Sequence, residues 1–183
     1  MLEQLLILGV FVLYLALPTI FVKERDWNAL LIALIAGVVA GLISAVIETL
    51  SSQYIPSSYS SPTQIILFAP LLEEALKFLG CLIYLKKRRT IVSIPKSMVF
   101  GYRVGLCFGL LETLGLTVGA PLYAILPRVF LTMPMHILVA SISAHGIGYA
   151  LRAGKRLYYS LLWLVIAFAI HALFNGFAFN IQL

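Results

Sequence analysis

Charge is scarce in this sequence: aspartate and glutamate number seven, and charged residues of both signs make up 11% of the 183 positions. A soluble domain of that size cannot cover its surface with so few charges. With 62% hydrophobic residues and a mean hydropathy of +1.03, the chain reads as an integral membrane protein. Cysteine is rare as well. Cys81 and Cys107 each lie inside an apolar run, which excludes a disulfide framework and leaves them as small buried hydrophobes. There is no internal repeat, no low-complexity tract and no His-Glu-x-x-His pair. The net charge of +6 comes from lysines and arginines in short clusters between apolar runs. Such clusters are topology signals, not the basic stripe that binds nucleic acid.

Six apolar runs are present, at about residues 2–22, 27–50, 63–85, 97–119, 128–151 and 157–183. They predict one all-α transmembrane domain over 1–183, a polytopic bundle of about six helices. The first run lacks a basic flank and a small-residue cleavage site, so it reads as a retained span. Lys23 and Arg25, then Lys86, Lys87, Arg88, Arg89 and Lys96, then Arg152, Lys155 and Arg156 all fall on one side of such a bundle. The uncharged loop 51–62 and both ends of the chain carry none, so the positive-inside rule predicts extracytoplasmic termini. Gly37 and Gly41, and Gly101, Gly105 and Gly109, have the four-residue spacing of close helix contacts. Glu48 and Arg103 are expected to snorkel to the interfaces, and 121–127 to form a turn or interfacial segment.

Against this background the stretch from Phe68 to Gly80 stands out, because Glu73, Glu74 and Lys77 sit inside a run that crosses the bilayer. An ionisable group at that depth costs roughly 2.5 to 3.5 kcal/mol on insertion scales and needs a partner or a polar interior. Glu73 and Lys77 are one helical turn apart and can pair, whereas Glu74 points about 100° away, toward another helix. One lysine cannot neutralise two glutamates. The choice between Glu73 and Glu74 as the working carboxylate stays open, because helix rotation is not readable in an all-apolar helix.

Depth gives a second signal. At ~1.5 Å of rise per residue, Glu73 lies ~15 Å from the outer end of its helix, Glu112 ~10 Å, His136 ~12 to 16 Å and His171 ~18 Å. Four helices running alternately up and down thus bring carboxylates and imidazoles into one layer. Asn175 follows His171 by one turn. Arg128 is either an interfacial anchor or a site-orienting charge, and His145, nine residues after His136, is a packing or interhelical hydrogen-bonding residue on the opposite face. Ser141 and Ser143 read as helix-packing residues, not nucleophiles. A carboxylate shielded from solvent can take a proton from water, and a histidine with an asparagine can donate to a developing oxyanion. These are the parts needed for amide hydrolysis without a covalent intermediate.

Glu73-Glu74-x-x-Lys77, Phe108-x-x-x-Glu112, Arg128 eight residues before His136, and His171-x-x-x-Asn175 resemble the motif series of PrsW-type proteases. Those belong with the CAAX prenyl endopeptidases and bacteriocin-processing proteins among glutamate-dependent intramembrane proteases. The resemblance runs from about 68 to 177. CAAX endopeptidases have an arginine one residue further along the first motif and a histidine where Glu112 stands, so this chain sides with the PrsW branch. The resemblance implies an endopeptidase with Glu73 as general base, Glu112 and His136 holding the water, His171 and Asn175 as oxyanion hole, and Glu74 and Lys77 tuning the site. It implies no cofactor, a location in the prokaryotic cell membrane and a single-pass membrane protein as substrate, such as an anti-sigma factor cut on its extracytoplasmic side. Three other readings use the same residues. Glu73, Glu112, His136 and His171 are potential Zn²⁺ ligands; the buried charges suit a small proton or ion transporter; or the scaffold is a non-catalytic binding protein.

Overall fold

The computed structural model describes residues 2–21, 26–54, 62–88 and 93–180, and among them there are helices and no β-strand. Lys23, Arg25 and Arg89 of the basic clusters, the middle of the uncharged loop and the last three positions lie outside the described residues. The helices are α1 (Leu2–Phe21), α2 (Trp27–Tyr54), α3 (Ala69–Lys87), α4 (Ile94–Thr117), the short α5 (Leu122–Pro127), α6 (Met133–Arg152) and α7 (Tyr159–Asn180). Single π-helical turns, Gln64–Phe68 and Arg128–Thr132, run directly into α3 and α6. Segment 121–127 is therefore not a simple turn. Its helix α5 continues through the π turn into α6, and the apolar stretch extends from Leu122 to Arg152.

Local chemistry explains most of the boundaries. Asp26 Oδ1 accepts the Ala29 N–H at the start of α2, and Ser93 Oγ accepts the Lys96 N–H at the start of α4, where Pro95 occupies the first turn. Lys86 and Lys87 close α3 at the negative end of its dipole. After α6, Gly154 adopts φ +63° and the Lys155 N–H reaches back to the Ala150 carbonyl at 2.9 Å, the wide bond of a Schellman motif.

Among the described residues four stretches are long and apolar enough to cross a bilayer alone: Trp27–Ser52, Ile94–Thr117, Leu122–Arg152 and Tyr159–Asn180. Helix α2 turns Leu31, Ile35, Val39, Leu42 and Val46 outward, and α7 does the same with Leu162, Val165 and Leu173. In water such faces would aggregate; in lipid they are the expected surface. The interior is correspondingly tight and small-sided. Helices α4 and α6 form the central pair, α2 packs on α4, α7 packs on α6, and α3 fills the space between α2, α6 and α7. Helix α1 lies against α4, where the Tyr102 hydroxyl donates to the Tyr14 carbonyl at 2.8 Å.

The α4–α6 contact depends on missing side chains. A Cβ added at Gly101 would run into the Ala140 carbonyl oxygen, and one added at Gly105 into that of His136. The glycine spacing in α4 therefore fixes how close His136 comes to α3 and α4. Arg103 is 2% exposed and lies within this packing instead of reaching the basic interface. His145 stacks edge-on against Trp163 of α7, ring centroids 4.6 Å apart, as a packing residue should.

Gly105→Ala should lower the thermal midpoint of the purified protein by roughly 5 °C, since forcing a methyl into a filled helix contact costs typically 1–3 kcal/mol. Gly115→Ala, where an added Cβ meets nothing within 4 Å, should leave it unchanged or raise it. Equal shifts for the two variants would refute the close-contact account.

Candidate active site

Lys77 is the buried cation around which the polar residues gather. It is 0% exposed, and its Nζ lies 2.5 Å from Glu74 Oε1, 3.0 Å from His136 Nδ1 and 3.8 Å from Glu73 Oε2. The ring of Phe108, one turn before Glu112 on α4, covers the ammonium at 4.2 Å from its centroid. The sequence spacing suggested Glu73 as its first partner. The ammonium instead goes closest to Glu74, three residues back, and Glu73 is left with an oxygen, Oε2, that is buried and has no hydrogen-bond partner.

The two histidines are held in matching ways. His171 Nδ1 lies 2.8 Å from Glu74 Oε1, and His136 Nε2 bonds Glu112 Oε2. In the neutral tautomer that suits these contacts, each imidazole donates the N–H of one nitrogen to a carboxylate and keeps a lone pair on the other. Those lone pairs point inward: His136 Nδ1 is 3.8 Å and His171 Nε2 3.9 Å from Glu73 Oε2. The rings meet edge to face with centroids 5.0 Å apart. Separations near 3.8 Å are too long for direct hydrogen bonds and suit an oxygen or an ion placed between the three groups.

Glu73 also opens onto a cavity of about 370 Å³ whose wall includes Glu48, Glu112, Arg128, Leu131, Phe174 and Asn175. Glu74 does not reach it. The Arg128 guanidinium sits 3.8 Å from Glu112 Oε1, so Arg128 is a charge of the site and not only an anchor at the interface. Asn175 faces the cavity while its Nδ2 donates to the Ile65 carbonyl at 2.9 Å. The structure thus brings together Glu73, Glu74, Lys77, Glu112, Arg128, His136, His171 and Asn175 from four helices and a π turn. Glu48 joins them unexpectedly: it accepts from Ser44 Oγ and lines the cavity, where the sequence suggested a snorkelling surface group. Counting residues to the helix end, as for Glu112, is the signal that finds it, since Glu48 lies a similar distance from the outer end of α2. Ser141 donates to its own helix, at the Ile137 carbonyl, and Cys81 and Cys107 are free buried thiols.

A family model described as PrsW family intramembrane metalloprotease matches residues 25–183. No curated protein matches the chain, and no solved structure matches it.

That description raises the question of whether the residues fit a metal ion. Glu73, His136 and His171 each offer one donor atom, all within 4.8 Å of one another and all buried. The unpartnered Glu73 Oε2 and the carboxylates on the far nitrogens of both rings are what a two-histidine, one-carboxylate zinc site requires. The donor set therefore fits. Lys77 is the competing group, because its ammonium already uses the His136 Nδ1 lone pair that an ion would take.

Removing the cation should expose how much the cluster depends on it. Lys77→Met should destabilise the protein by about 3–5 kcal/mol, because Glu74 is left buried without a counter-charge. Lys77→Met with Glu74→Gln should recover most of that loss. Thermal unfolding in detergent checks this, and a double variant as unstable as the single one would remove Lys77 from the centre of the network.

Proposed function

The chain belongs to the PrsW family of intramembrane metalloproteases and is an integral, multi-pass membrane peptidase, and we propose that it cuts its membrane-protein substrate with water activated by Glu73. The observation that carries this reading is the buried, unpartnered Oε2 of Glu73, a residue of the cavity wall, 3.9 Å from His171 Nε2, whose lone pair no protein group among the described residues uses. A water between them donates one hydrogen to Glu73 and the other to His171 Nε2. Glu73 takes a proton as the oxygen attacks the scissile carbonyl carbon, and returns it to the nitrogen as the C–N bond breaks. Glu112 and Glu74 hold the two imidazoles in orientation, and Lys77 pairs with Glu74 and keeps His136 in place.

Of the two nearest oxyanion candidates we assign the role to Asn175. His171 commits Nδ1 to Glu74, whereas the Asn175 amide keeps a second N–H after bonding Ile65. Arg128 adds positive charge on the same wall. The substrate is read as a single-span membrane protein cut near its extracytoplasmic side, as an anti-sigma factor would be. The reading takes 1–183 as one transmembrane domain with both ends outside the cytoplasm, in a prokaryotic cell membrane.

The convergence of Glu73, His136 and His171 favours a second reading, in which the same three residues hold a divalent ion. Such an ion would supply Lewis acidity and a more acidic bound water. Lys77 on His136 Nδ1 weighs toward the first reading.

Cleavage of a panel of single-span substrates by purified protein separates the two. Glu73→Gln should lower kcat by about 10²–10⁴-fold while the protein stays folded, and wild-type cleavage should persist in chelator. One tightly held metal per chain, with cleavage lost on its removal and restored on its return, would establish the metal reading. Undiminished cleavage by Glu73→Gln would sink both.

A further inference from the structure

The Gln64–Phe68 π turn contains an unusual exchange of hydrogen-bond partners. The Ala69 N–H donates to the Gln64 carbonyl, five residues back. The next bond in that register would run from residue 70 to carbonyl 65, but residue 70 is proline and has no N–H. The Ile65 carbonyl is taken instead by Asn175 Nδ2 at 2.9 Å, from α7. Ile65 and Asn175 both line the cavity, and there the side-chain donor stands where the main-chain one is missing.

We propose that Pro70 is a positioning residue of the active site: by withholding a main-chain N–H from Ile65, it leaves that carbonyl to hold the side chain of Asn175. A primary amide nitrogen carries two hydrogens in one plane. With one fixed on Ile65, the other has a fixed direction on the cavity wall that Asn175 shares with Glu73. The same bond ties the C-terminal half of α7 to the entrance of α3, five residues before the proline and eight before Glu73. Proline is usually read here as a first-turn residue that starts α3. That role explains tolerance of Pro70, but not a side chain from another helix in the place of the missing bond.

The catalytic part of this inference rests on the proposed function; the link between Pro70, Ile65 and Asn175 does not, and it is measured separately. Thermal midpoints and cleavage kinetics are compared for wild type, Pro70→Ala, Asn175→Ala and the double variant. Asn175→Ala alone should lower the midpoint by about 2–4 °C, the worth of one neutral hydrogen bond in a protein of this size. In the Pro70→Ala background the residue-70 N–H gives the Ile65 carbonyl a main-chain donor that competes with Asn175 Nδ2, so the same change should cost less than half as much. Pro70→Ala by itself should leave the midpoint unchanged or higher, yet lower kcat about 10-fold or more with little change in KM, because Asn175 loses its anchor. In kcat the double variant should be no worse than Asn175→Ala. Should Pro70→Ala not fold, Pro70→Ser serves, since any residue other than proline supplies the N–H. Equal midpoint losses in both backgrounds would overturn the link, and wild-type kcat in Pro70→Ala would overturn the positioning role. If the wild type cleaves no substrate, the proposed function fails, while the midpoint comparison still decides the link.

Discussion

A single ammonium group, that of Lys77, is the constraint on which the rest of the structure depends. It is wholly buried, at a depth where an unpaired charge is expensive, and it touches Glu74 and His136 while lying near Glu73. Through Glu74 it fixes His171, and through His136 it connects to Glu112 and Arg128. The charges therefore form one chain from α7 to the π turn before α6. Among the described residues Glu73 and Glu74 each keep one buried carboxylate oxygen without a hydrogen-bond partner, and of the two only Glu73 lines the cavity. The lysine lies closer to Glu74, and the two adjacent glutamates differ in just these two respects.

Such a network requires helices that approach closely, and α4 makes this possible with its glycines. Because a Cβ at Gly105 would occupy the His136 carbonyl, the α4 backbone and the α6 backbone meet at the level of the site. Phe108 on the following turn can then cover Lys77, and Glu112 one turn further can reach His136. Three properties visible as a spacing in one helix, small, aromatic and acidic, are thereby a packing contact, a cation cover and an imidazole orienter.

Much of this is legible in the amino-acid sequence. The all-α membrane class follows from composition, and the layer of Glu73, Glu112, His136 and His171 follows from counting residues to the helix ends. The family resemblance rests on ordered motifs, and the family match spans them. The rotation of α3 is not legible, and the reason is physical. A π turn changes the angular position of everything after it relative to an uninterrupted α-helix, and no apolar periodicity marks one in a helix that is apolar on every side. Glu48 is missed for a different reason: its depth matches the site, but its position near a helix end suggests an escape to the interface. Arg128 is ambiguous for a similar reason: only the π turn before α6 shows it turned toward Glu112.

The two π turns share a construction that bears on how a membrane enzyme can host a cleft at all. Each closes with an N–H to a carbonyl five residues back, Ala69 to Gln64 and Met133 to Arg128, and each is followed at once by a proline. Pro70 and Pro134 remove a main-chain donor next to the cavity wall. In a bilayer, backbone groups freed in this way survive only where they are buried in protein or line a polar cavity. A substrate helix faces the same restriction, since its scissile carbonyl must leave its own intrahelical bond before water can attack. On the proposed function, a cavity walled by carboxylates, a guanidinium and a side-chain amide would supply alternative partners for that stretch of substrate. The irregular turns that shape the wall and the unwound segment it would receive are thus two responses to one rule, that no backbone polar group in lipid can be left without a partner.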